Sequence, residues 1–249
     1  MVILIKSVLA TFYKNNHMRI LIEFYSIRID LKNSIQTMYL GRMSKYIEHI
    51  FYINLDKRTD RREQMEAQLQ QYGLTAERFS AVETEGRGIV GCGLSHTAVL
   101  RLSRERGYKN VLILEDDFEF LVSPEEFQKQ MKILFEHEPT IPFDVCMLSY
   151  NLHEHAVIPN IPSMDLGKVL YAQTASGYIV PAHYYNTIIE LYEWAIPLLH
   201  QTGQHWVYAN DVIWKQLQEK DLWVYFYKRL GRQRAGYSDN ALSYQDHGC

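Results

Sequence analysis

The chain is poor in cysteine, carries no net positive charge and has no apolar run long enough to cross a membrane. Its three cysteines, Cys92, Cys146 and Cys249, are odd in number and far apart in 249 residues. That spacing gives neither a disulfide framework nor a paired-cysteine zinc site, and it suits free thiols in the cytoplasm or another reducing compartment. A formal net charge of -3 supplies no long-range positive field. Nucleic acid is therefore not expected as a partner, and any phosphate must be gripped locally. The opening run Met1 to Tyr13 is broken by Lys6 and falls short of the about 20 residues a membrane-spanning helix needs. It lacks the basic region and small-residue cleavage site of a secretory leader. No internal repeat or low-complexity tract is present.

Residues 1–42 are sparse in acids, with Glu23 and Asp30 set against Lys6, Lys14, Arg19, Arg28, Lys32 and Arg42. This balance suits an amphipathic segment in contact with a membrane surface. It equally suits a dispensable extension, because organised strand and helix signals start just after Met43. The expectation is one domain over 43–249, with an apolar fraction of 47% ample for its core.

Ile47 to Leu55 is rich in β-branched and aromatic residues and reads as a buried strand. A helix follows, with Asp60 and Glu63 spaced as a capping box, Met65, Leu69 and Tyr72 as its stripe and Gly73 as its stop. A short strand at 76–82, a glycine-bearing loop at 83–93 and a second helix closing at Gly107 continue a β-α-β-α order. Asn110 to Asp117 is an apolar strand ending in three carboxylates, as in a central parallel strand whose C-terminal end meets a site. Ser123, Pro124 and Glu126 start a helix. A strand at 143–149, a polar loop, a strand pair around 168–180, a helix over 183–200 bent by Pro197, a helical stripe after Asp211 and a strand at 222–227 follow. An irregular tail begins at Gly231. The class is α/β, with a mostly parallel sheet flanked by helices.

Glu115, Asp116 and Asp117 repel one another and gain nothing from burial beside Val111 to Leu114, so something must compensate their charge. In an extended segment Glu115 and Asp117 face one point while Asp116 turns aside. Hard oxygen ligands of this kind select Mg²⁺ or Mn²⁺, whose coordination is completed by phosphate oxygens and water. The alternative is a solvated loop start with one acid capping a turn. The segment Gly86 to Gly91 matches a dinucleotide fingerprint, which would make the chain an NAD-dependent oxidoreductase. Glu83 and Glu85 would repel a pyrophosphate there, and the glycines serve equally as a tight, close-packed loop. Ser95 and His96 are placed at the next helix's start, to contact substrate or phosphate or as a cap and a buried histidine. Arg58, Arg61 and Arg62 lie beyond the first strand's end, where one can reach a nucleotide, although a solvated basic helix face is the commoner explanation. Asp211 is either a helix cap or the general base that deprotonates an acceptor hydroxyl. His153 and His155 carry no metal role. His247, near Asp239 and Asp246, is a candidate late ligand or lid, with a frayed terminus as the alternative.

Five segments in order resemble glycosyltransferase family 25, the lipopolysaccharide-biosynthesis and procollagen galactosyltransferase group. They are Tyr52 to Arg58 with Asp60-Arg61-Arg62, Gly91 to His96, Leu112 to Asp117, Ala175 to Val180, and Asp211 followed by Gln233 and Ser238-Asp239-Asn240. The resemblance implies a GT-A-like nucleotide-diphospho-sugar transferase fold, a UDP-sugar donor with galactose favoured, Mn²⁺ or Mg²⁺ and inversion. A glycan, glycolipid or protein hydroxyl would be the acceptor. Asn54, Leu55, Arg58, Ser95, His96, Glu115 and Asp116 would bind the donor, Asp117 and Glu115 would hold the metal, and Asp211 would be catalytic. A non-catalytic sugar- or protein-binding module on the same fold is the rival within this resemblance.

Overall fold

A computed structural model describes residues 45–137, 139, 142–158, 165–238, 243–246 and 248. The extension at 1–42, both loop prolines (Pro159 and Pro162), Asp239 and His247 lie outside these residues. The strands are β1 (His49–Asn54), β2 (Glu77–Ser80), β3 (Asn110–Glu115), β4 (Phe118–Phe120), β5 (Val145–Met147), β6 (Asn151–Val157), β7 (Leu166–Gln173), β8 (Gly177–Pro181), β9 (Trp223–Phe226), β10 (Gly231–Gln233), β11 (Gly236–Ser238) and β12 (Ser243–Gln245). Eight of them form one sheet in the order β2-β1-β3-β8-β5-β9-β7-β6. Following the pairings, β2, β1, β3, β5, β9 and β6 run one way, while β8 and β7 run against them. The expected α/β class and mostly parallel sheet are thus what the chain forms.

The described helices are α1 (Thr59–Tyr72), α2 (Gly88–Glu105), α3 (Pro124–His137), α4 (Tyr185–Thr202) and the single turns α5 (His205–Tyr208), α6 (Asn210–Ile213) and α7 (Lys215–Gln218). Strand alternation divides the apolar residues between two cores. Leu112 and Leu114 join Met65, Leu69, Phe127 and Met131 on one face, and Val111 and Ile113 join Val99, Leu100, Ile188 and Trp214 on the other. Val111 to Leu114 are fully buried, each worth about 1.5–3 kcal/mol of transfer free energy. This anchoring fixes where the strand must stop and its carboxylates begin.

Five local expectations are corrected. Helix α1 starts at Thr59 with Arg58 at its cap position and no side-chain cap bond, because a guanidinium only donates; Asp60 lies inside the helix and accepts from Arg58. Gly73 does end it, at φ 62°. Helix α2 begins at Gly88, inside the segment expected as loop. Gly91 lies so close to the Val82 carbonyl that a side chain there would collide with backbone, so its glycine serves helix-to-chain packing. The segment with His153 and His155 is strand β6, at the sheet edge with mostly exposed residues, which hides the alternation of a half-buried strand. The neighbours β7 and β8 do not pair with each other but sit apart with β5 and β9 between them. The tail is also more ordered than expected, since β10 pairs with β4 and β11 with β12. Among the described residues, no helix is long and apolar enough to cross a membrane.

Candidate active site

The parallel strands β1 and β3 end side by side, with Ile53 in register with Glu115. The reversed strand β8 starts beside them, and Ser176 accepts the Glu115 N–H at 2.8 Å. The chain then turns, Asp116 N–H donating to the Ile53 carbonyl at 3.1 Å, and β4 leaves toward β10. The Phe118 ring is wedged against Gly177 and Gly231, where any side chain would collide with it. These contacts hold three carboxylates at one sheet end, where open α/β sheets place ligands.

Each carboxylate has a different environment. Glu115 Oε1 accepts from His96 Nε2 at 2.9 Å and from the Cys92 thiol at 3.4 Å. Burial pushes its carboxyl up, but the His96 and Cys92 contacts outweigh this and hold it below the usual range. Asp116 accepts from Asn54 Nδ2 at 2.7 Å and from Arg61 Nη1 at 2.9 Å; burial pushes it up against the Arg61 charge. Asp117 Oδ2 accepts from the same Arg61 nitrogen at 2.9 Å and from Gln233 Nε2 at 3.2 Å. Burial first, and then the Glu115 charge, raises its carboxyl to about 7. Asp117 Oδ1 is buried and has no hydrogen-bond partner.

A cavity of about 320 Å³ opens onto this corner, with walls that include Leu55, Lys57, Arg61, Ser95, His96 and the triplet Glu115-Asp116-Asp117. The size is at the lower end of small-molecule sites. Of the residues expected at a donor site, Asn54 is not on the wall. It lies behind Asp116, its amide donating to Asp116 and to the Arg58 carbonyl and accepting from Arg78. Arg58 is also off the wall, with its guanidinium on Asp60. Arg61 is the arginine of that cluster at the carboxylates, while Arg62 pairs with Glu66 at 2.8 Å.

Ser95 and His96 stand about two turns into α2, not at its start, so they contribute side chains and no free helix-end N–H groups. Ser95 accepts from Val82 N–H and donates to the Gly91 carbonyl. Asp211 is half-buried on α6 and is not on the cavity wall, although its electrostatic neighbours include Glu115. Its Oδ2 accepts from Thr174 N–H at 3.3 Å, and burial raises its carboxyl. The adjacent Asn210 amide reaches Cys92 Sγ at 3.6 Å.

Sequence reasoning missed Cys92 as a site residue. Its spacing of four from His96 was the available signal, once both are known to share α2. The donor set suits a cation at the triplet, because Asp117 keeps an unpartnered buried oxygen beside the Glu115 charge.

No family model matches the chain. A glycosyltransferase 25 family member of Drosophila melanogaster is 28% identical over 162 residues, covering 54% of this chain and 26% of the fly protein. A protein of Acanthamoeba polyphaga mimivirus named for glycosyltransferase similarity is 28% identical over 160 residues, covering 53% of this chain and 49% of its own. The matches thus span half or less of these relatives. Among solved structures, a glycosyltransferase involved in glycosylation of the major capsid of PBCV-1 covers 72% of this chain and 92% of its own at 10% identity, with a TM-score of 0.39. A mannose-1-phosphate geranyltransferase from Thermus thermophilus covers 78% of this chain and 62% of its own at 9% identity, with a TM-score of 0.40.

Proposed function

We propose that this chain, glycosyltransferase-family-25-like over 54% of its length, transfers a hexose, galactose foremost, from a UDP-sugar to a hydroxyl of a glycan, glycolipid or protein. On this reading the fold is GT-A-like, the reaction depends on a divalent cation and the transferred sugar is inverted. The observation that carries it is the buried, unpartnered Asp117 Oδ1 in a cavity that also holds the Glu115 and Asp116 carboxylates and the Arg61 guanidinium.

Asp117 and Glu115 would hold the cation, Mn²⁺ or Mg²⁺, which when bound neutralises charge on the departing diphosphate. Lys57, Arg61 and Arg87 are positive side chains on the same wall, and Arg61, beside the triplet, stabilises that charge from the protein side. Asn54 holds Asp116 in place through its amide. Asp116 in turn holds Arg61, together with Asp117. Asp211 receives the proton of the acceptor hydroxyl. Burial favours its protonated form, which strengthens it as a base.

The test is hydrolysis of a panel of nucleotide sugars by the purified full chain, with Mn²⁺ and with a chelator. Turnover of a UDP-sugar that collapses with chelator, and in folded Asp117→Ala, is expected. Equal turnover in both conditions sinks the metal-dependent reading. UDP and metal binding with neither transfer nor hydrolysis would favour a binding module instead.

A further inference from the structure

The cavity wall carries a second donor set, softer than the triplet. Cys92 Sγ, a His96 ring nitrogen and a Glu115 carboxylate oxygen all lie within 4.8 Å of one another. Glu115 Oε1 is 2.9 Å from Nε2 and 3.4 Å from Sγ. Tetrahedral zinc, with bonds of about 2.3 Å to sulfur and about 2.0 Å to nitrogen or oxygen, separates its ligand atoms by about 3.3–3.5 Å. The cluster therefore needs only small side-chain movements to surround such an ion.

Two features favour binding over a purely structural hydrogen-bond cluster. The far nitrogen of His96, Nδ1, is 2.8 Å from the Tyr178 hydroxyl. The Tyr178 hydroxyl can either donate to Nδ1, leaving Nε2–H on Glu115, or accept from Nδ1–H; in the second tautomer, the one a metal selects, Nε2 presents its lone pair to the cluster. The three residues also all line the cavity, where His96 is fully buried but Glu115 keeps 21% of its side chain exposed, so an ion would enter past Glu115 and take its fourth ligand, water, from that side.

We infer that Cys92, His96 and Glu115 form a binding site for a thiophilic divalent cation of the zinc class, distinct in chemistry from a carboxylate site for Mg²⁺ or Mn²⁺. Thiolate and imidazole select zinc and cobalt over those harder ions. On binding, the Cys92 S–H and His96 Nε2–H bonds break: the thiol proton leaves to solvent, the ring proton is exchanged through solvent to Nδ1, and the freed sulfur and Nε2 lone pairs form the bonds to the metal. The hydrogen bonds from His96 and Cys92 to Glu115 are exchanged for bonds to the ion. Because Glu115 cannot serve both sites fully, zinc occupancy weakens the carboxylate site.

Direct binding tests this without any transferase assay. The metal-free, reduced full chain is titrated with Co²⁺ and followed by its sulfur-to-cobalt charge-transfer absorption, with Zn²⁺ then added as competitor. One equivalent should bind with a charge-transfer band that Zn²⁺ removes. The band should survive in Cys146→Ser and Cys249→Ser and be lost in Cys92→Ser. Tyr178→Phe keeps the ring but not the hydroxyl and should weaken Zn²⁺ binding about 10- to 100-fold. Zn²⁺ should also protect Cys92 of the unmutated chain from alkylation, a readout that holds even if Cys92→Ser does not fold. No stoichiometric binding, a band that persists in folded Cys92→Ser, or alkylation of Cys92 unaffected by Zn²⁺ overturns the inference.

Discussion

Arg61 Nη1 lies 2.9 Å from Asp117 Oδ2, while Oδ1 of the same carboxylate is buried without a partner. One half of the group is neutralised and the other is left for a ligand. Burial, and then the Glu115 charge, outweigh the Arg61 pairing and raise the Asp117 carboxyl from 3.8 to about 7, so below that pH the metal-free fold prefers it protonated. A raised folded value stabilises fully below the unfolded value and loses that stabilisation as pH rises toward the folded one. Asp117→Asn, neutral throughout, should therefore gain in melting temperature over the unmutated chain from about pH 4 to about pH 7 and level off above. Thermal unfolding in chelator across this range measures it. Added Mn²⁺ should reverse the order at pH 8 by stabilising only the unmutated chain. A pH-independent difference in chelator would sink this account.

Arg61 is the shared counter-charge of Asp116 and Asp117, and all three side chains are largely buried. Removing one partner of a buried ion pair costs about 3–5 kcal/mol. Arg61→Met should show a loss of that order by urea unfolding at pH 8. The loss should shrink at pH 5, where Asp117 takes up a proton and needs less compensation. A change below about 1 kcal/mol at both pH values would mean that solvent already screens the cluster.

Gly91 and Gly86 separate packing from backbone freedom within one motif. A Cβ at Gly91 meets the Val82 carbonyl, whereas Gly86 has open space around it but sits at φ +66°. Overpacking against backbone costs about 1–3 kcal/mol or more, so Gly91→Ala should fall at or beyond the top of that range. Gly86→Ala should cost about 1–2 kcal/mol, the left-handed penalty alone. Chemical denaturation of both variants checks the order. Tight NAD binding by the unmutated chain, lost in folded Gly88→Ala, would instead revive the dinucleotide reading.

The strands and the triplet were legible because buried parallel strands write themselves as apolar runs and an abrupt run of acids has no place in a core. Residues 110–117 told both where β3 ends and where chemistry begins. The start of α2 was not legible, since Gly88, Gly91 and Gly93 are poor helix formers, and Gly91 and Gly93 are explained only by packing against Val82 and Ile196. That error moved Ser95 and His96 to a helix end and hid the four-residue spacing of Cys92 and His96. Asn54 was recognised as a site residue but not as the group behind Asp116, because its partner is 62 positions away and no local pattern encodes such a bond. Strand β6 was missed for the opposite reason: an exposed edge imposes little apolar alternation.

Asp211 tests how far the acceptor side of the site extends. Its Oδ2 accepts the N–H of Thr174, which is held at φ 89°, a strained conformation for a residue other than glycine, costing about 1–3 kcal/mol. Asp211→Asn keeps an oxygen able to accept that bond but cannot take a proton from a hydroxyl. If Asp211 is the base, transfer to an acceptor should fall about 10²- to 10⁴-fold, while UDP affinity by calorimetry and the melting temperature stay near those of the unmutated chain. The acid limb of kcat/KM in the unmutated chain should lie above the ordinary 3.8 of an aspartate, because burial raises this carboxyl and the base must be ionised to act. A variant that keeps transfer, or one whose UDP affinity and melting temperature fall together with activity, would assign Asp211 to holding the Thr174 turn instead.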